Sequence, residues 1–240
     1  MFIDPATLGQ DDEGLNRLEE IEKASLRLVT QAMFSFRLDA AHIFARETDK
    51  PSGIGEDVAR EAMDAVGVSR IPFRLFGTVD YKRARYVFHP AYAIRQALLV
   101  DSKAEMDDRS ATLQTSQTSM RMRHILAGVA VDIPGGLPTV IPSPDGPLLT
   151  TTIVVKFVYE ETADGKALRL LRIAGVPNGM LQDRYNTTAQ DTIWITGRHA
   201  HGPRQEDFRV RLSFRLLREK AAWRVQDIHL HPPQPFHWNE

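Results

Sequence analysis

The chain contains no cysteine in 240 residues. That excludes a disulfide framework and any thiolate metal site, so a metal would have to be held by oxygen or imidazole donors. No apolar run approaches the length of a membrane span. The acidic beginning, with Asp4, Asp11, Asp12 and Glu13, is unlike the basic start of a secretory signal, so cytoplasm is the expected compartment. Phosphate-binding loops and dinucleotide fingerprints are missing, as is a recognisable Ser/His/Asp arrangement, so no nucleotide cofactor is expected. Net charge is also nearly absent, at −1. Its distribution is uneven, however. Residues 1–66 hold fourteen acids against seven bases, and residues 198–224 hold eight bases against three acids. A local basic region is the footprint that matters for phosphate binding.

What is present reads as a single domain over 1–240, in three parts. The first, 1–70, is helical. Leu15, Leu18, Ile21, Leu26, Val29, Met33 and Phe36 recur at helical spacing and predict one helix over 15–46. Pro51, Gly53 and Gly55 suggest a turn before a second helix from Glu56 to Val66. The second part, 71–127, starts with a strand from Phe73 through Tyr81 running into Arg85–Phe88, followed by the next strand, Ile94–Ala104. It ends in a polar stretch, Asp107–Arg123, read as a helix that could lie against a nucleic-acid backbone, with Arg109, Gln114 and Gln117 as donors. The Pro- and Gly-rich segment Gly128–Pro147 reads as a long loop. The third part, 148–231, is β-rich: Thr150–Tyr159, Leu168–Ile173, Thr192–Thr196, Phe208–Leu216 and Trp223–Leu230. The fourth of these strands alternates apolar residues with Arg209, Arg211 and Arg215 on one face. Arg198 and His199 in the loop before it add further donors.

The sharpest chemistry lies at Leu98-Leu99-Val100-Asp101-Ser102-Lys103. An apolar run ends in a carboxylate, and an ammonium follows on the same face. If the strand bearing Asp80 is its neighbour, two carboxylates converge into an oxygen-rich site suited to Mg²⁺. From the residues alone, a surface salt bridge and a metal site both remain open. A charge at the end of so apolar a strand is costly without partners. His199-x-His201 and His229-x-His231 have no evident third ligand and are read as non-metal histidines.

These residues carry a resemblance. Val79-Asp80-Tyr81-Lys82-Arg83-Ala84-Arg85, Leu98–Ala104, Thr112–Gln117, Thr151–Val158, Arg184-Tyr185-Asn186 and Arg209-Val210-Arg211 resemble the SfiI family of type II restriction endonucleases. Val176-Pro177-Asn178-Gly179 is similar to the related BglI type. The likeness runs from about Phe73 to Trp223 and is weaker over the first helices and the Pro/Gly loop. It implies an α/β (α+β) fold of the PD-(D/E)xK nucleases, a mixed central sheet flanked by helices. Asp80 and Asp101 match the metal-binding acids, with the Ser102 carbonyl beside them, and Lys103 matches the motif lysine. Glu56 lines up with a helix-borne acid. Arg209 and Arg211 match arginines that read guanines, and Arg198 falls near a base-reading lysine in a loop of different length. Val79 stands where the family pattern often has Pro, at a position that supplies no ligand.

The resemblance therefore implies Mg²⁺-dependent cleavage of double-stranded DNA at an interrupted GC-rich palindrome, with GGCC or GCC half-sites around an unspecified spacer. Palindromic sites imply two-fold protein symmetry, hence a homodimer or homotetramer. Two other readings stay open: a structure-specific repair or recombination nuclease of the same fold, and a catalytically silent DNA-binding module.

Overall fold

The computed structural model describes residues 2–71, 84–106, 111–115, 117–163, 165–197 and 210–240. In chain order the elements are α1 (Asp12–Ser35), α2 (Arg37–Arg46), α3 (Pro51–Ala65), β1 (Ala84–His89), β2 (Ile94–Met106), β3 (Thr112–Gln114), β4 (Met122–Leu126), β5 (Val129–Ile133), β6 (Val140–Ile141), β7 (Leu148–Thr162), β8 (Gly165–Val176), α4 (Gln182–Tyr185), β9 (Trp194–Thr196), β10 (Val210–Ser213), α5 (Phe214–Lys220) and β11 (Val225–His229). No helix among the described residues is long and apolar enough to cross a membrane.

The central sheet is mixed, in the order β1-β2-β7-β8-β11, with β6 added along β7. Strands β2 and β7 run parallel, and the other pairings are antiparallel. A parallel pair needs both faces covered, which is why both strands read as nearly continuous apolar runs. On one face, Ile54, Val58 and Met63 of α3 and Leu26, Val29 and Met33 of α1 pack with Leu98, Val100, Val155 and Phe157. On the other, Val154 and Ala174 pack with Leu113, Trp194, Val210 and Leu212 from a second, three-stranded sheet ordered β3-β10-β9. Strand alternation thus sorts β2 into two sides. The even residues face the helices, and Asp101, Lys103 and Glu105 face the small sheet.

Five expectations change. The single helix over 15–46 is two helices: at Phe36 ψ is 0°, and the Phe36 N–H is shared between the Ala32 and Phe34 carbonyls, which stops the ladder. The turn expected at 48–55 belongs to α3, which starts at Pro51; proline is at ease at the first helical position, where its missing N–H costs nothing. Gly55 sits inside this helix because a Cβ there would lie 3.1 Å from the Phe157 ring, so glycine lets α3 close on the sheet. The polar helix expected over 107–123 is not seen among the described residues of that stretch, 111–115 and 117–123. Thr112–Gln114 is strand β3, with Leu113 buried, and Met122–Arg123 begins β4. A stretch whose large apolar residues are only Leu113, Met120 and Met122 had no stripe with which to hold a helix on the core.

The long loop contains two strands. β4 and β5 form a hairpin whose two turn residues, Ala127 and Gly128, both have positive φ (50° and 83°), the geometry that matches strand twist. Finally, the strand over 208–216 covers Val210–Ser213 among the described residues and then becomes α5. The Ser213 side chain accepts from the Leu216 N–H and caps that helix. Arg215 is therefore on a helix, paired with Glu219 at 2.5 Å, and not on an arginine strand face with Arg211.

Candidate active site

Strand β2 ends its apolar run at Asp101, whose side chain is buried with 1% of the residue exposed. Its Oδ1 accepts a hydrogen bond from Lys103 Nζ at 3.0 Å, while the Lys103 side chain remains 38% exposed. The sequence order apolar, Asp, x, Lys thus becomes a carboxylate at the edge of the core and an ammonium at the mouth of a cleft. Ser102, between them, turns its side chain to the opposite, buried side.

The cleft holds about 560 Å³, and its walls include Asp101, Lys103, Glu105, Gln114, Gln117 and Arg211. Three of the residues singled out as base-contacting, on separate segments of the chain, are thereby brought together with Asp101 and Lys103: Gln114 from β3, Gln117 just after it and Arg211 from β10, all across from β2. Glu56 is half-buried on α3, the helix that packs on β2. Asp80, Arg109, Arg198, His199 and Arg209 lie outside the described residues. The antiparallel pairing of β1 with β2 brings Ala84 opposite Leu99, two positions from Asp101. Arg85 of the same motif is a buried tie between β1 and α3. It donates to the carbonyls of Val68 and Arg60, each at 3.1 Å, and to Asp64. Arg70 and Arg85 together hold the Asp64 carboxyl below its ordinary range.

Two side chains important to the cleft were not singled out in the sequence. Lys156 pairs in register with Lys103 and is fully buried. Its Nζ lies 3.1 Å from Glu105 Oε2, and Glu105 Oε1 lies 2.9 Å from Arg211 NH2. The Arg211 guanidinium also donates from Nε to Thr112 Oγ1 at 2.6 Å and from NH2 to the Thr112 carbonyl at 3.2 Å. A signal for these was available. Lysine in the middle of Thr-Ile-Val-Val-Lys-Phe-Val requires a buried anion, and Asp101-x-Lys103-x-Glu105 sets a second acid on the same strand face.

The donor set suits a hard cation. Asp101 offers carboxylate oxygen beside the Ser102 backbone carbonyl, and the chain has no thiol. Among the described residues no three His, Asp or Glu side chains gather as ligands, and Asp80 is not one of those residues. His229 and His231 line a separate, largely apolar groove with Phe34, Leu38 and Phe236.

Comparison with known proteins shows the family of the chain. A family described as "Type II restriction enzyme SfiI" matches residues 22–228. The type II restriction enzyme SfiI of Streptomyces fimbriatus is 33% identical over 233 residues, which cover 90% of this chain and 85% of the relative. The crystal structure of tetrameric restriction endonuclease SfiI bound to cognate DNA superposes with a TM-score of 0.78 at 29% identity, covering 90% of this chain and 85% of the other. The restriction endonuclease BglI bound to its DNA recognition sequence shares the fold, with a TM-score of 0.73 at 14% identity over 94% of both chains. This chain belongs to the SfiI family of type II restriction enzymes.

Proposed function

We propose that the protein is a sequence-specific endonuclease that hydrolyses phosphodiester bonds of double-stranded DNA with Mg²⁺, at an interrupted GC-rich palindrome with GGCC or GCC half-sites. The observation that carries this reading is the buried Asp101 carboxylate bonded to Lys103 on the floor of a cleft whose opposite wall is Arg211. Membership of the SfiI family supports the same reaction class and substrate.

In this reading Asp80, Asp101 and the Ser102 carbonyl would hold Mg²⁺, which would supply a more acidic bound water and positive charge beside the phosphate. Lys103, bonded to Asp101 and open to solvent on its other side, orients the water that attacks phosphorus in line and helps it lose its proton. Asp101 fixes the Lys103 ammonium so that its remaining N–H donors aim into the cleft. Glu56, on α3, is assigned a supporting part as the helix-borne acid of the site. Gln114, Gln117, Arg211, Arg209, Arg109, Arg198 and His199 are assigned to DNA contact, the arginines at 209 and 211 to guanine. A palindromic site is read by two copies of the chain, so the active form is a homodimer or homotetramer.

The test is digestion of a long duplex in Mg²⁺, in Ca²⁺ and in chelator, followed by sequencing of the ends. Discrete fragments that share one interrupted palindrome, produced with Mg²⁺ alone, are the expected result. Random ends, or cleavage indifferent to chelator, would sink the proposal.

A further inference from the structure

One carboxylate ties the strand that carries the cutting chemistry to the strand that faces it. Glu105 follows Asp101 by four residues and Lys103 by two on the same face of β2. Its Oε2 is held by the ammonium of Lys156, a side chain with no solvent exposure at the centre of the sheet, and its Oε1 holds Arg211 NH2 on β10. Thr112 on the neighbouring β3 takes the Nε and NH2 donors of the same guanidinium. The Arg211 plane is therefore clamped along its Nε/NH2 edge by groups on two other strands. One of them is rooted in the sheet that bears Asp101 and Lys103.

Guanine readout by arginine depends on the orientation of a planar fork, and a long flexible side chain loses that orientation unless something holds it. Lysine at the base of the clamp also has a physical reason. An isolated Glu on a strand end swings freely, whereas a buried ammonium that needs an anion pins it in one place.

We infer that Glu105 is a positioning residue for sequence discrimination: through Lys156 and Arg211 it registers the base-reading strand against the Asp101–Lys103 strand. The inference rests on the proposed reading of the cleft as a DNA-cleaving site. Glu105 itself takes no part in the chemistry. Its effect appears in how strongly a wrong base pair slows cutting.

The experiment uses the full chain and two duplexes: the site found by end sequencing, and the same site with one half-site base pair replaced. Cleavage kcat/KM is measured for the wild type, Glu105→Gln, Arg211→Ala and the double variant, with binding to site-free DNA in Ca²⁺ as a control. Glu105→Gln is expected to lose roughly tenfold or more of the discrimination, the scale of one arginine contact to a base. Its affinity for site-free DNA does not fall, because removing an acid from the cleft adds no repulsion toward phosphate. In the Arg211→Ala background the Glu105→Gln change costs no further discrimination, since the residue acts through that guanidinium.

Undiminished discrimination by Glu105→Gln, or full additivity with Arg211→Ala, would reduce the contact to a structural ion pair and overturn the inference. If Glu105→Gln does not fold, Glu105→Gln/Lys156→Met removes both charges together and is read in the same assay. Site-independent cutting by the wild type would overturn the function and this inference together. Specific cutting by the wild type with an unaltered variant overturns the inference alone.

Discussion

Replacing Asp101 by Asn separates a cation-binding carboxylate from a mere ion pair, because the first role shows in cleavage and the second in stability. The variant keeps the size of the side chain and an oxygen acceptor for Lys103 Nζ, now 3.0 Å from Oδ1. The attraction lost is about 5 kcal/mol for unit charges at that distance with an effective dielectric of ~20. Against it stands the desolvation of a carboxylate that is only 1% exposed, and that relief is worth several kcal/mol of the same order. Because Lys103 is more than a third exposed, its ammonium is solvated after the change, and the Coulomb loss is discounted further.

The two effects nearly cancel, and the expected stability change is within about 1 kcal/mol, or roughly 2–4 °C in melting temperature for a chain of this size. Cleavage responds quite differently. Loss of a ligand that supports several kcal/mol of transition-state charge stabilisation lowers the rate by about a thousandfold or more. Mg²⁺ should raise the melting temperature of the wild type and leave that of the variant unmoved, as mass action requires of a ligand bound only by the native state. Melting scans with and without Mg²⁺, beside single-turnover cleavage of a cognate duplex, measure all three quantities. A melting point lowered by more than about 10 °C with cleavage intact at low temperature would refute the reasoning and make Asp101–Lys103 a structural salt bridge.

Two further predictions concern the scaffold. Arg224 is fully buried; it donates to Glu22 Oε2 at 2.7 Å and lies over the Tyr185 and Trp223 rings, while Glu22 Oε1 accepts from the Asn178 N–H. Arg224→Met strands a buried carboxylate and should cost about 3–5 kcal/mol in urea denaturation. Adding Glu22→Gln should recover part of it, because the amide oxygen still accepts from Asn178; no recovery would mean the aromatic contacts of Arg224 dominate. His124 is buried, and its Nδ1 lies 2.8 Å from Thr196 Oγ1, whose own proton goes to the Ile125 carbonyl. Its Nε2 is buried with no hydrogen-bond partner among the described residues, and burial holds the imidazole pKa below the ordinary value despite a backbone contact at Ile125 that opposes it. A depressed folded pKa gives stability that is complete above the unfolded value of about 6.5 and is lost as pH falls through the folded one. Denaturation midpoints should therefore decline below about pH 6.5 and decline less in His124→Gln; His89, also depressed by burial, keeps part of the slope. An identical slope in the variant would remove His124 from the account.

Much of the sheet was legible because its strands carry their own signals. β2 and β8 carry short runs of Leu, Ala, Ile and Val, and β7 is rich in β-branched residues, so their burial follows from composition. Asp101 and Lys103 stood out for the complementary reason: charges at the end of such a run are anomalous. Where local signals were weak, partners decided. Thr112–Gln114 has no stripe of its own and becomes a strand because β10 offers an edge to pair with. Val140-Ile141 likewise becomes a strand by adding to β7. Ser213 reads equally well as a strand residue or as a helix cap, and α5 decides it by packing Phe214 and Leu217 into the second core.

The sequence by itself determined that a carboxylate and a lysine would stand together at the end of a buried strand, since a period of two and the cost of buried charge leave little choice. It also determined the absence of thiol chemistry. The tertiary structure alone decided what faces them. The parallel pairing of β2 with β7 puts Lys156 beside Lys103, and the packing of β10 over Val154 sets Arg211 across the cleft. The join through Glu105 between residues 105, 156 and 211 spans three strands. Contacts so distant along the chain leave no periodicity behind, because each depends on how whole sheets stack.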